Sequence, residues 1–282
     1  MRKRKLEELF IKILMILATI IVVGSFFLIV GTIFSKGIPY MSLDMITKTP
    51  GGGFYIGKEG GVLNAIVGSI YIAGGATVLG LIISIPVAIF INMYMAGKNF
   101  LANTFRMAFD VLFGIPSIVY GAFGFLIMVY FGLRASLLGG IIAVTLLVIP
   151  ILVRTLDEVI RTVPGELRDA ALSLGATRWE MAKVVLRQIR PGIFTAILLS
   201  FGRGIGDVAS VLFTAGFSDN IPTSLHEPAA TLPLAIFFQL GSPVAEVQGR
   251  AYASALILTI VVLIITILSE ILIRKFSKHI TK

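Results

Sequence analysis

The chain has 282 residues, 57% hydrophobic and 14% charged, with a formal net charge of +9 and no cysteine. A soluble domain would carry about 25% charged residues, so an ordinary water-soluble globule is excluded. Without cysteine there is no disulfide framework, thiol nucleophile or cysteine-based metal site. The apolar residues fall in blocks of about twenty, which predicts an all-α membrane protein with six transmembrane helices, because only a helix satisfies its own backbone in lipid.

In chain order, MRKRK precedes an apolar run from Ile13 to Phe34. That run is longer than a signal-peptide core and lacks a small-x-small cleavage site, so it predicts an anchoring span. Residues 35–64 contain TPGGGFYIGKEGG; no helix-opening GK[ST] follows, which favours a flexible loop over a phosphate cradle. Further spans are predicted at Ala65–Met95, Met107–Phe131, Ala135–Val153, Gly192–Gly216 and Tyr252–Ile273. The third contains FGIPSIVYG, where Pro116 removes an N–H and predicts a kink or break. Freed backbone groups and Ser117 there can line a transport path, or neighbouring helices can simply repair an ordinary proline kink. The TLPLAIFFQL run within 217–251 is too short to span and predicts a packed or interfacial turn of helix.

Lys and Arg divide 18 to 5 between the two sides set by these spans, the N-tail, the 96–106 and 154–191 loops and the C-tail holding the 18. By the positive-inside rule both termini are expected in the cytoplasm. The basic balance is thereby explained as topology, and nucleic acid is not an expected partner.

The loop RTLDEVIRTVPGELRDAALSLGATRWEMAKVVLRQIRP, 154–191, predicts two short helices. Pro164 suits a first helical turn, with Glu166 near the positive end of the dipole. Gly175 suits the left-handed residue just past a C-terminus. Thr177 and Glu180 then form a capping box that opens the second helix. The product is an elbow. Ala170, Ala171 and Gly175 offer it a small-residue surface for a partner, the alternative being an amphipathic hairpin on the membrane. Trp179 is either a docking anchor or a headgroup-level aromatic.

Asp169-Ala170-Ala171, three residues, then Gly175 resembles the E-A-A-x-x-x-G loop of ABC importer permeases. GGVLNAIVGSIYIAGGATVLGLIISIPVAIFINMY, FGIPSIVYGAFGF, GRGIGDVASVLFTAG and TLPLAIFFQLGSPVAEVQGRAYASALIL are similar to phosphate-specific permeases of the PstA type. Asp169 replaces the usual Glu, a later Leu-Pro is absent at 187–188, where Arg187-Gln188 stands, and Gly206-Asp207-Val208-Ala209-Ser210 stands where the family has Gly-Glu-Thr-Ala-Pro. The resemblance implies a permease domain over 61–273, preceded by a basic tail, first helix and external loop (1–60) and followed by a basic tail (274–282). It also implies partners: two copies of an ATP-binding subunit, a second phosphate permease subunit, an extracytoplasmic phosphate-binding protein, and membrane lipid. Asp169, Ala170, Ala171, Gly175 and Trp179 become the ATPase-coupling set. No G-x-x-x-x-G-K-[ST] occurs, so ATP hydrolysis is expected from the partner, and neither cofactor nor metal is expected.

Arg203 and Asp207 lie deep in the fifth predicted span. Arg203 is eleven residues past Gly192, about 16.5 Å along a helix, near the middle of a hydrocarbon core. An arginine there costs at least ~2.5–3.5 kcal/mol, so it is expected to face protein or water. One reading is an ion pair that only relieves its own burial. The other makes Arg203 the attractor for a passing phosphate, oriented by Asp207, with Pro116 and Ser117 on the same path. Asp207 could also accept a hydrogen bond from the hydroxyl of HPO₄²⁻, which sulfate cannot offer. A passive anion channel would share Arg203 but not need the elbow, and other oxyanions or small polar solutes fit the same scaffold. Enzymatic chemistry lacks partners: His226 and His279 are the sole histidines, and Asp110 lies near a span end.

Overall fold

The computed structural model describes residues 2–51, 59–95 and 99–277. The glycine-rich part of the 35–64 loop and His279 lie outside the described residues. The elements are α1 (Arg2–Gly37), α2 (Leu43–Thr47), α3 (Leu63–Ile89), α4 (Asn99–Phe113), α5 (Ser117–Tyr130), α6 (Leu137–Arg161), α7 (Gly165–Ser173), α8 (Arg178–Gln188), α9 (Arg190–Ile205), α10 (Leu232–Leu240) and α11 (Ala245–Ser277). A 3-10 turn, Ile38–Tyr40, follows α1, and a π-helical turn, Phe90–Tyr94, continues α3.

Among the described residues four helices are long and apolar enough to cross a membrane, and two bent pairs raise this to six if each pair is one span. The expected third span is broken: Pro116, extended at ψ 138°, separates α4 from α5, which lie at 96°. A proline forces the preceding residue out of the helical region and cannot donate a backbone hydrogen bond, so the break falls where the sequence places it. The fifth span also departs from expectation. Instead of running to Gly216, its helix α9 ends at Ile205, and it meets α8 at 70°. The fourth is longer than its apolar stretch, because Leu152, Leu156 and Ile160 keep one face of α6 buried to its end at Arg161. Charges assigned to a loop therefore belong to a helix.

Helix α6 is the central pillar, with 72% of its apolar window buried, and α3 is its main neighbour. Small residues let the two approach: a Cβ on Gly80 would lie 2.8 Å from Leu152 Cδ1, and one on Gly75 2.9 Å from Ile141 Cδ1. Membrane helices associate by such close packing, since lipid offers no hydrophobic penalty to escape. Ile72, Ala76, Val144, Val148 and Leu152 form the resulting core. Helix α10 packs at the far end from the elbow, Leu232 to Ala235 buried, with Thr231 accepting from the Leu234 N–H and Ser69 accepting from that of Leu232.

Candidate functional site

The elbow forms as its sequence dictates. Helix α7 ends at Ser173, and Gly175 follows at φ +80°. The Gly175 N–H donates to Leu172 (2.9 Å) and that of Ala176 to Ala171 (3.1 Å), the reciprocal pair of a Schellman end. Thr177 then caps α8: its Oγ1 accepts from the Glu180 N–H at 3.3 Å, and Glu180 Oε2 accepts from the Thr177 N–H at 2.8 Å. These bonds hold the Glu180 carboxyl below the usual carboxylate range, the backbone bond from Thr177 most of all. Pro164 differs by one position, standing at the N-cap with α7 starting at Gly165.

The two arms of the elbow are unequal. Met181, Ala182, Val185 and Ile189 are buried in the main core, so α8 is docked rather than lying loose on a membrane. No residue of α7 is buried. Asp169, Ala170 and Gly175 are exposed and Ala171 is half-buried. Leu174 is 89% exposed and Trp179 54%, the latter with Lys183 Nζ 5.5 Å from its ring centroid. Arg168 Nη2 donates to the Ile160 carbonyl (2.8 Å), tying α7 back to the end of α6. A projecting helix with a small-residue tip and exposed apolar rim suits insertion into another protein.

Arg203 sits in the last turn of α9, where a cation complements the helix dipole. Asp207 stands just beyond the helix, and its Oδ2 accepts from the Ser210 N–H at 2.8 Å. It therefore caps the hydrogen-bonded turns that follow, Leu212 to Val208 and Ala215 to Val211. The break at Gly206 keeps the expected pair adjacent: Arg203 Nη2 and Asp207 Oδ1 are 3.7 Å apart. Gly204 gives the close approach, with Val144 Cγ1 3.1 Å from where a Cβ would stand, whereas Gly202 faces open space.

Arg203 lines a cavity of about 430 Å³ between α9 and α11, with Thr195, Gly202, Thr266, Ser269 and Glu270. Pro116 is exposed and Ser117 half-buried at the start of α5. One turn on, Gly121 packs on the turn after Asp207; a Cβ there would lie 2.6 Å from the Ala209 carbonyl oxygen. The structure thus places the α5 start near the Asp207 turn, but among the described residues no hydrogen bond joins Ser117 to Arg203 or Asp207. His226 is exposed, and no group of three metal-ligating side chains occurs among the described residues.

A second polar cluster escaped the sequence reading. Asp157, 7% exposed, accepts from Arg106 Nε at 3.0 Å (Oδ2) and from Arg106 Nη2 at 3.1 Å (Oδ1). Asn92 Nδ2 donates to its Oδ1 at 2.7 Å. Arg106 and Asp157 read as loop charges because the apolar blocks stop short of them. The continuing 3.6-residue spacing of Leu152, Leu156 and Ile160 was the available signal.

Comparison with known proteins agrees with this architecture. Residues 80–282 match the family described as binding-protein-dependent transport system inner membrane component. The phosphate transport system permease protein PstA of Haemophilus influenzae is 34% identical over 92% of this chain and 90% of its own length. Its namesake in Yersinia pestis is 36% identical over 95% and 91%. A chain from an inward-facing structure of the MetNI methionine ABC transporter superposes with a TM-score of 0.61, at 17% identity, over 78% of this chain and 96% of that one. That last likeness concerns the fold alone. With family match, relatives and helical architecture in accord, the chain belongs to the binding-protein-dependent transport permeases, in their PstA-type phosphate branch.

Proposed function

We propose that this multi-pass chain forms part of the membrane pathway for inorganic phosphate in an ATP-driven importer, with ATP hydrolysis supplied by a separate subunit. The observation that carries this reading is similarity to phosphate transport permeases across about nine-tenths of both chains. An ATP-binding subunit and a substrate-binding protein are the family's working companions. The finer assignment is two ATPase copies, one sister phosphate permease and an extracytoplasmic phosphate-binding protein. The 18-to-5 division of Lys and Arg supports a cytoplasmic position for both termini and the elbow in the cell membrane.

In this reading α7 inserts into the ATPase, with Ala170, Ala171 and Gly175 at the contact, Asp169 on its polar edge and Trp179 on the flank. Arg203 meets the phosphate through its forked donors. Asp207, buried in this conformation, acts as a positioning residue that holds the turn and one side of the guanidinium. The Pro116 break and Ser117 shape the neighbouring wall of the path.

The test is phosphate accumulation in vesicles bearing the assembled complex. Arg203→Gln should lower uptake about tenfold or more, the scale of a charge-assisted hydrogen bond. Undiminished uptake in the assembled variant would remove Arg203 from the path. Uptake without ATP would mark a passive channel, and uptake of another oxyanion in preference to phosphate would change the substrate.

A further inference from the structure

Three elements meet at one buried carboxylate. Asp157, on α6, is gripped by Arg106 from α4 and by Asn92 from the π-helical turn. Asn92 Nδ2 also donates to the Ala88 carbonyl (2.9 Å), and Arg106 Nη2 approaches Asn92 Oδ1 at 3.4 Å, so the three side chains close a ring. The π turn is held from its other side by the elbow. Arg178, in the first turn of α8, lies over the Tyr94 ring at 5.8 Å, and Met181, Ala182 and Val185 share a core with Ala88, Ile89 and Met93. A π turn is a local irregularity that persists where surrounding contacts demand it, and such turns concentrate at working parts of proteins.

The consequence is mechanical. A displacement of α8 bears on the π turn, and Asn92 passes it through Asp157 and Arg106 to α4. Helix α4 is tied to α6 again by Asp110, 3.3 Å from Arg154 Nη1, and by buried Ala102 beside Val153, while its outer face is open, with Phe100 84% and Val111 64% exposed. It ends at the Pro116 break, beyond which α5 packs on the turn after Asp207. We infer that the Asn92–Asp157–Arg106 ring is the joint that transmits the elbow's ATP-driven stroke to the α4–α5 break, making Asp157 and Arg106 positioning residues for coupled transport. The inference rests on the permease reading above. A bidentate guanidinium on a buried carboxylate suits the task, because it fixes both distance and orientation between helices. Two apolar side chains would pack there without such directionality.

The experiment uses the complete transporter, with its ATPase, sister permease and binding protein, in proteoliposomes. ATP hydrolysis and phosphate accumulation are measured together. In Asp157→Asn, which keeps shape, and Arg106→Lys, which keeps charge but not the fork, phosphate imported per ATP should fall about tenfold, a typical inter-site coupling. Hydrolysis stimulated by loaded binding protein should persist. The exchange Arg106→Asp with Asp157→Arg should recover part of the ratio. A merely structural role would lower both activities together with transporter yield and leave the ratio unchanged, and that result in either assembled variant overturns the inference. If Asp157→Asn fails to assemble, Arg106→Lys decides alone. A wild-type complex unable to accumulate phosphate would instead sink the permease reading, so the two failures are distinct.

Discussion

Arg203 and Asp207 are four residues apart and 3.7 Å apart, yet only one of them is available to a ligand: the arginine side chain is 49% exposed and the aspartate 3%. The helix between them has ended, so the pair marks a break rather than a continuous face. The aspartate is committed to the Ser210 N–H. Asn is as good a cap as Asp, whereas Ala is not. Asp207→Asn should therefore leave the melting temperature of the solubilised complex nearly unchanged, and Asp207→Ala should lower stability by about 0.5–2 kcal/mol. Equal losses in both would show that charge, not capping, holds the turn.

Gly175 has open space where a Cβ would stand, so its requirement is backbone conformation alone, at φ +80°. Gly175→Ala should destabilise the elbow by about 1–2 kcal/mol without any clash. Faster proteolysis between α7 and α8, with the membrane core still protected, is the expected sign. Weakened copurification of the ATP-binding subunit should accompany it.

Two glycine classes should respond oppositely. A Cβ on Gly68 would lie 2.0 Å from the Ala230 carbonyl oxygen, a backbone atom that cannot step aside, whereas one on Gly24 meets nothing. Gly68→Ala should cost about 1–3 kcal/mol. Gly24→Ala should be neutral, or stabilise by up to about 1 kcal/mol through helix propensity. Thermal unfolding of the purified variants compares them directly.

Glu180 and Glu227 are both held below the usual carboxylate range, chiefly by backbone hydrogen bonds from Thr177 and Thr223. For a depressed carboxyl the stabilisation is complete above the unfolded pKa and is lost as pH falls through the folded one. The elbow cap and the Thr223–Glu227 turn should thus survive mild acidification. Their amides, followed by hydrogen exchange corrected for intrinsic rates, should lose protection only in strong acid. Thr177→Ala should move that loss at the elbow to higher pH.

The elbow was legible because its signals are local: a capping box and a left-handed glycine act over four residues, and each formed where the sequence put it. The Pro116 break is local as well. What stayed hidden depends on the packed whole. The end of α9 at Ile205 is marked only by Gly206 and the capping Asp207, a weak local signal because the apolar run continues on both sides of them. Asp157 looked like a loop charge because hydropathy stops at Val153, whereas the helix is continued by partners 51 and 65 residues away, Arg106 and Asn92. The Arg203–Asp207 pairing was readable from its spacing, but the unequal exposure of the two was not, because it is set by the turn that Asp207 caps.

Helix α1 has none of its apolar window buried, and its close approach to the rest comes at the C-terminal end, where Gly37 lies against the Tyr252 backbone. Its shaft is therefore a graft held along its C-terminal part, from Leu28 to Gly37 beside Tyr252 of α11, contributing little to the cohesion of the helices behind it. Lipid or another subunit is its solvent. Insertion of α1 into the bilayer and consolidation of the α3–α6 core are accordingly separable events, and damage along the shaft should be felt in how subunits gather rather than in whether the bundle folds.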